Sequence, residues 1–163
     1  QSEALVMSDD IIVMSKGRIE QTGGPVEIYA RPVNSYVSNF IGVANLLKGH
    51  VTRDDGGGRG EVEVTDGDQR VLLPAALSEG MSVGAETVVS VRPENVHVSR
   101  EFGGPVSLVG EVIQAIFLGS CIDARVRWGG FEWKVLAHPR TRLKGGEKVF
   151  LRLDPQHTLA VRP

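Results

Sequence analysis

An internal repeat constrains the fold of this sequence more than any other feature. The pattern Leu-x-Gly-x-Val occurs at residues 47–51 and again 61 positions later, at 108–112. A longer stretch, 84–91, returns 62 positions later as 146–153 with the same spacing of glycine, apolar residues and a following proline. Similarity at a fixed offset is the signature of a duplicated structural unit. The chain therefore contains two copies of one unit.

Within both copies, apolar and polar residues alternate with a period of two, which is typical of short strands with one face in water. Gly129-Gly130 separates two such strands and can adopt a positive φ at both positions of a hairpin turn. The alternating segments are 61–64, 89–91, 124–128, 131–135 and 150–153.

A unit of four or five short strands buries too little apolar surface to be stable alone, so the two copies should pack together or interlock. Barrel closure also removes exposed strand edges. We therefore predict a mainly β fold of tandem OB-like antiparallel barrels over residues 49–163. The two pseudo-repeats would cover about 49–104 and 105–163.

Residues 1–48 have a mixed α/β pattern and are predicted to form a separate short segment. After a helix near 2–7, the apolar run 11–14 indicates a buried strand, with 18–21 as its return strand. Pro25 is suited to the first position of a short helix that Pro32 ends. The absence of an initiator Met before Gln1 indicates an excised fragment.

A second helix is expected to start with Asn34 or Ser35 as its cap and to end at Gly42. Its apolar stripe is predicted to pack between domains. The stripe consists of Tyr36, Val37, Phe40 and Ile41.

Composition argues against several functional classes. Lys and Arg number 18 against 20 Asp and Glu, so no overall positive field attracts nucleic acid or anionic lipid. No run approaches the ~20 apolar residues of a membrane-spanning helix. Cys121 is the single cysteine, which suits a reducing compartment and a small core residue.

Candidate catalytic and metal-binding patterns are weak. Gly145-Gly146-Glu147-Lys148 lacks the spacing and hydroxyl residue of a phosphate-binding loop, and no Gly-x-Ser-x-Gly elbow surrounds Ser120-Cys121. The four histidines lack metal-ligand spacing; they are His50, His97, His138 and His157. We expect no catalytic residue, metal or cofactor in this chain.

The tripeptide Arg92-Pro93-Glu94 follows the strand at 87–91, which the proline should end. Arg92 and Glu94 are predicted to hold a partner segment through charge-assisted hydrogen bonds. They are the principal candidates for a regulatory or partner contact.

Three aromatic residues lie close together, and two interpretations are open for them. Trp128, Phe131 and Trp133 could form a stacking platform of the kind that single-strand-binding OB folds use. Core packing is favoured because only 6% of residues are aromatic and the net charge is −2.

The first 48 residues resemble the end of the nucleotide-binding domain of ABC importer ATP-binding subunits of the maltose, polyamine and iron type. Residues 1–5 are similar to the stretch after the family's switch histidine, and 11–29 to its final strand pair and following helix. Pro32 and residues 36–42 resemble the linker helix. Val91 to Glu94, and residues 110–119, look like the family's TOBE regulatory module of tandem OB-like units.

The resemblance implies a parent subunit that uses ATP and Mg²⁺ to drive import, of polyamine or ferric ion, through transmembrane permease subunits. It implies a cytoplasmic location, peripheral on the inner face of the inner membrane. This chain lacks the phosphate loop, signature motif and switch histidine, so it would be the non-enzymatic regulatory and dimerisation region. A homodimer is expected.

Two alternative functions belong to other classes of protein. Because TOBE-like barrels of molybdate proteins bind an oxyanion between subunits, this chain could be a small-oxyanion-binding module of molbindin type, with Ser120 as a donor. A nucleic-acid-binding OB fold would form salt-dependent complexes, but the acidic charge balance argues against it.

Overall fold

The computed structural model describes residues 7–104 and 106–163. The helix predicted near residues 2–7 lies outside these residues, except for Met7. In the described part no helix has the length and apolar character needed to cross a membrane.

The N-terminal segment is a hairpin followed by two short helices, as predicted, but its first strand is not the buried strand that was expected, because Ile12 and Met14 are 57% and 52% exposed. Strands β1 (Ile11–Ser15) and β2 (Arg18–Gly23) pair antiparallel, and helices α1 (Pro25–Ala30) and α2 (Ser35–Ile41) follow. Pro25 opens α1 where its missing N–H costs nothing. Asn34 caps α2, and its side chain accepts a hydrogen bond of 2.9 Å from the Val37 amide.

Ten strands form the rest of the described chain, in agreement with the predicted mainly β fold. They are β3 (Asn45–Gly56), β4 (Arg59–Asp66), β5 (Gln69–Leu77), β6 (Glu86–Val91), β7 (Val96–Ser99), β8 (Ser107–Phe117), β9 (Ile122–Trp128), β10 (Phe131–Ala137), β11 (Lys148–Leu153) and β12 (Thr158–Val161).

The two units interlock by exchanging their last strands. One closed barrel has the order β12-β5-β4-β3-β6, and a five-stranded sheet has the order β10-β9-β8-β11-β7. Strand β7 starts at Val96 and β12 at Thr158, 62 positions later, so they are equivalent strands of the repeat. Each strand completes the sheet of the other copy. The sequence boundary near residue 104 therefore separates two copies whose strands are shared.

Only one of the two predicted barrels closes. Strand β12 closes the first unit by pairing antiparallel with β6 and parallel with β5. Among the described residues of the second unit no ladder joins β7 to β10, so this sheet stays open. The buried amide of Asn45 takes the place of a strand partner on β10: it accepts from the Lys134 amide at 2.7 Å and donates to the Lys134 carbonyl at 2.9 Å.

The hairpin between β9 and β10 differs in detail from the prediction. Gly129 has a φ of +60°, whereas Gly130 does not adopt a positive φ. The Gly130 amide instead donates to Asp66 Oδ2 at 2.6 Å, at the turn between β4 and β5. This contact ties the equivalent hairpin turns of the two units together.

A single hydrophobic core runs through both β units. Its fully buried members include Leu73 and Val89 from the barrel and Trp133 and Leu151 from the open sheet. A smaller cluster holds the N-terminal segment and consists of Val13, Ile28, Val37 and Ile41. The polar contacts between this cluster and the barrel define the candidate site.

Candidate functional site

The candidate site is the joint between the two short helices and the β barrel, and Arg92 lies at its centre. Arg92 follows β6 directly, where Pro93 starts a 3₁₀ turn (Pro93–Asn95) that ends the strand. This local structure agrees with the strand exit predicted from the sequence. Only 6% of the Arg92 surface is exposed. The side chain therefore points into the protein toward α1 and α2.

The Arg92 guanidinium group binds the carboxyl end of α2. Its Nη1 atom donates to the carbonyl oxygens of Ser38 at 2.9 Å, Gly42 at 3.0 Å and Val43 at 3.2 Å. The last carbonyls of a helix have no partner within the helix, and a planar guanidinium can serve several of them at once. Its positive charge also complements the negative end of the helix dipole.

Arg92 binds α1 as well. Nη2 donates to the Tyr29 carbonyl at 3.3 Å, and the guanidinium carbon lies 4.2 Å from the centre of the Tyr29 ring. A cation over an aromatic face is attractive, most strongly where water is excluded. Burial lowers the pKa of Arg92, while Tyr29 and Glu94 favour its charged form.

Glu94 completes this group at the hydroxyl of Tyr29. The Tyr29 hydroxyl donates to Glu94 Oε1 at 2.5 Å. Burial, and then this hydrogen bond, raise the pKa of Tyr29 to about 12. Arg92, Tyr29 and Glu94 thus form a connected cluster, which we call the Arg92 joint.

Further hydrogen bonds surround the Arg92 joint. The hydroxyls of Ser38 in α2 and Ser90 in β6 are 2.7 Å apart and fully buried. The Ser35 amide donates to the Arg162 carbonyl at 2.8 Å, which ties the start of α2 to the end of the chain. These contacts and the Arg92 joint fasten both ends of α2 to the barrel.

Sequence reasoning selected Arg92 and Glu94 but missed Tyr29 and Ser38. The segment that Arg92 holds belongs to this same chain. Tyr29 lies 63 residues before Arg92, and no local pattern connects them. The proline after a buried strand was the usable signal, because it indicates that the chain turns and that Arg92 leaves the strand there.

The predicted apolar stripe of α2 divides into two parts. Val37 and Ile41 lie in the small core, whereas Tyr36 and Phe40 are 41% and 42% exposed. Their rings stack with centres 5.9 Å apart, and the Tyr36 hydroxyl donates to the Met14 carbonyl at 3.2 Å. One face of α2 therefore packs on the segment 11–28, and the other presents two aromatic rings at the surface.

Ser120 lies apart from the Arg92 joint. It is exposed in the turn between β8 and β9, where the Leu118 amide donates to the Cys121 carbonyl at 2.9 Å. Its side chain forms no hydrogen bond with any residue that the structure describes. Cys121 is partly buried and unpaired.

The clustered aromatics are core residues, as favoured from the sequence. Trp133 is fully buried, Trp128 is 5% exposed, and the rings of Phe131 and Trp133 meet edge to face at 5.3 Å. The alternative of a stacking platform is wrong, because the two indoles face the interior. Trp133 Nε1 has no hydrogen-bond partner within the described residues.

The histidines are dispersed and have separate local roles. His50 lies 3.5 Å from Glu63, His157 lies 3.1 Å from Asp154, and His138 accepts from the Arg140 amide. Among the residues 7–104 and 106–163, no three His, Cys, Asp or Glu side chains are placed to hold a metal ion.

Comparison with known proteins finds a matching domain and a set of similar proteins. The TOBE domain profile matches residues 89–161, which begin in β6 and end with β12. The chain is 34% identical over 155 residues to the spermidine/putrescine import ATP-binding protein PotA of Acetivibrio thermocellus, covering 95% of this chain and 40% of that protein. It is 35% identical over 170 residues to PotA of Frankia alni, covering 97% of this chain and 37% of that protein.

A solved structure supports the fold. The cytoplasmic molybdate-binding protein ModG superimposes with a TM-score of 0.61 over 73% of this chain and 96% of its own, at 19% identity. The chain spans about 40% of the length of curated relatives such as PotA of Clostridium acetobutylicum, to which it is 34% identical. This chain therefore carries a TOBE domain at residues 89–161 and is similar, over 95% of its length, to part of the spermidine/putrescine import ATP-binding protein PotA.

Proposed function

We propose that this chain is the regulatory and dimerisation region of the ATP-binding subunit of a bacterial ABC importer for polyamines. The Arg92 joint is the observation that carries the proposal. It fastens the helices that follow the nucleotide-binding domain to the β units through four carbonyl contacts of one buried side chain. A displacement of the β units is therefore transmitted to these helices.

The parent subunit would bind ATP and Mg²⁺ through residues outside this chain, and the chain itself would hydrolyse no ATP. The subunit would act at the cytoplasmic face of the inner membrane with transmembrane permease partners. The β units would hold two subunits together, so that the nucleotide-binding domains meet at a high effective concentration.

Reconstitution of the full-length subunit with its permease and binding protein tests the solute. We expect ATP-dependent uptake of labelled putrescine or spermidine, with no uptake of ferric ion or maltose. In the same system, Arg92→Gln should lower uptake more than it lowers ATP hydrolysis, because the joint links the two regions. Uptake of ferric ion alone would contradict the polyamine assignment.

Sedimentation of the 163-residue chain tests dimerisation. We expect a dimer at about 100 µM, a concentration that populates even weak specific dimers. The double substitution Tyr36→Ser and Phe40→Ser removes the two exposed rings of α2 and should leave the dimer intact. Loss of the dimer in this variant would place the contact on α2 rather than on the β units.

Oxyanion binding is the second candidate, and the likeness to the molybdate-binding protein ModG favours it. Ser120, in the exposed turn after β8, would be one donor. Calorimetric titration with molybdate, tungstate and sulfate separates this function from pure dimerisation. Micromolar binding that Ser120→Ala weakens would support it, and the absence of heat with all three anions would exclude it.

A further inference from the structure

A broad groove runs along the side of the barrel where the linker, the barrel and the end of the chain meet. Its volume is about 1280 Å³, and its walls are the segments 30–33, 55–60, 74–80 and 154–162. Pockets that bind drug-sized ligands have volumes of roughly 300–1,000 Å³, so this groove can hold a ligand larger than a single oxyanion.

Three arginines from distant parts of the sequence line this groove. Arg31 follows α1, Arg59 begins β4 and Arg162 follows β12. All three are exposed. Within the part of the chain that the structure describes, the guanidinium groups of Arg31 and Arg59 have no carboxylate partner. Arg162 Nε makes only a long contact of 3.4 Å to the Val33 carbonyl.

The carboxylates that line the groove form no ion pair with these arginines in the described part of the chain. Asp55 is bound by Arg53, with Nε to Oδ1 at 2.6 Å. Asp154 accepts from the Gln156 amide at 2.9 Å and lies 3.1 Å from His157. Glu79 is the one lining carboxylate without such a partner among the described residues. The guanidinium groups of Arg31 and Arg59 are therefore available to an anionic ligand.

We propose that this groove binds a small molecule with two or more phosphate groups. A guanidinium group matches the geometry of a phosphate and binds it through paired hydrogen bonds. Three such groups on separate walls of the groove fit a ligand with several phosphate groups better than a ligand with one. A bound ligand would connect α1 to the barrel and to the end of the chain, next to the segments that the Arg92 joint holds. This site goes beyond the proposed regulatory function, because it names the class of ligand whose binding would regulate the subunit.

Calorimetric titration of the 163-residue chain with inorganic phosphate, pyrophosphate and tripolyphosphate tests this site. We expect affinity to increase about tenfold with each added phosphate, because each engages a further arginine. The double substitution Arg31→Gln and Arg59→Gln should weaken tripolyphosphate binding about a hundredfold. These two side chains are exposed and have no carboxylate partner among the described residues, so the double variant should fold, which circular dichroism checks.

The matched control is Arg140→Gln with Arg142→Gln. It removes the same charge from an exposed loop that does not line the groove. We expect it to change the affinity less than about threefold, since distant surface charges are screened by salt. Equal weakening in both double variants, or no binding at about 1 mM tripolyphosphate, would overturn the proposal. The titration does not depend on oligomeric state, so a monomeric chain that binds tripolyphosphate would contradict dimerisation and leave this site standing.

Discussion

At the scale of single residues, a few buried polar side chains determine how the segments of this protein join. Arg92, Asn45 and Ser38 are each nearly inaccessible to water, and each forms hydrogen bonds to a distant segment. Leaving such buried groups unpaired costs more than an average hydrogen bond contributes. The positions of the helices and of the open sheet therefore depend strongly on these side chains.

Arg92→Gln should lower the free energy of unfolding by about 2–4 kcal/mol, because several buried carbonyls lose their donor. The free energy of unfolding of Arg92→Lys should lie between the values of Arg92→Gln and the wild type, since an ammonium group cannot reach α1 and α2 together. Urea denaturation followed by circular dichroism measures both. Arg127→Gln, at an exposed position of β9, is the control and should change stability by less than about 0.5 kcal/mol.

Tyr29 should make stability depend on pH in the alkaline range. Its folded-state pKa is raised to about 12 from 10.0, so the unfolded chain releases this proton first as pH rises. The contribution of Tyr29 to stability is therefore complete below about pH 10 and is lost as pH approaches 12.

Absorbance titration of the tyrosinate band in a Tyr36→Phe variant reports Tyr29 alone, because the chain has 2 tyrosines. We expect a midpoint near 12 that falls toward the ordinary value in a variant that also carries Glu94→Gln. A midpoint near 10 in the first variant would show that Tyr29 is neither buried nor hydrogen-bonded to Glu94 in solution.

At the scale of strands, the repeated Leu-x-Gly-x-Val pattern has a steric cause. A Cβ atom on Gly49 in β3 would lie 2.5 Å from the Glu63 carbonyl oxygen. At the equivalent Gly110 in β8, it would lie 2.5 Å from Val126 Cγ1 and 3.0 Å from the Arg127 carbonyl oxygen. Each glycine lets a neighbouring strand approach closely. The pattern that reveals the duplication therefore marks a close approach of the neighbouring strand in both units.

Gly49→Ala should destabilise the protein by about 1–3 kcal/mol, since the clash involves backbone that cannot move independently. Gly145→Ala is the matched control: its Cβ atom would meet only the Ile113 carbonyl oxygen, at an ordinary distance of 3.6 Å. Thermal unfolding of both variants measures the difference. Equal stability of the two variants would mean that β3 and β4 are farther apart than the structure shows.

At the scale of the whole molecule, the exchange of β7 and β12 makes the two β units one folding unit. Each sheet needs a strand from the other copy, and one core runs through both. A small antiparallel unit without its last strand would expose an edge and part of its core. Neither pseudo-repeat is thus expected to fold independently.

Thermal unfolding should therefore be a single transition. Both tryptophans lie in β9 and β10, so their fluorescence reports on the open sheet, whereas far-ultraviolet circular dichroism reports on both units. The two signals should have the same midpoint. As a second measure, 45–104 and 105–163 expressed separately should be unfolded and should regain structure on mixing. Two resolved transitions, or a folded fragment alone, would contradict the exchange.

The sequence by itself determined the duplication, the period of the strands, Pro25 as the first residue of α1, the start of α2 at Asn34 or Ser35, the core position of the tryptophans and the family resemblance. These features depend on residues close together in the chain or on spacing that repeats along it. Only the tertiary structure decided which strands are shared, which unit closes, and that Arg92 holds Tyr29 and α2. Such pairings join residues 50 or more positions apart, as in the contact of Arg92 with Gly42. Local patterns carry no information about them, because two copies of one unit present nearly equivalent strands and only long-range packing and hydrogen bonding select between them.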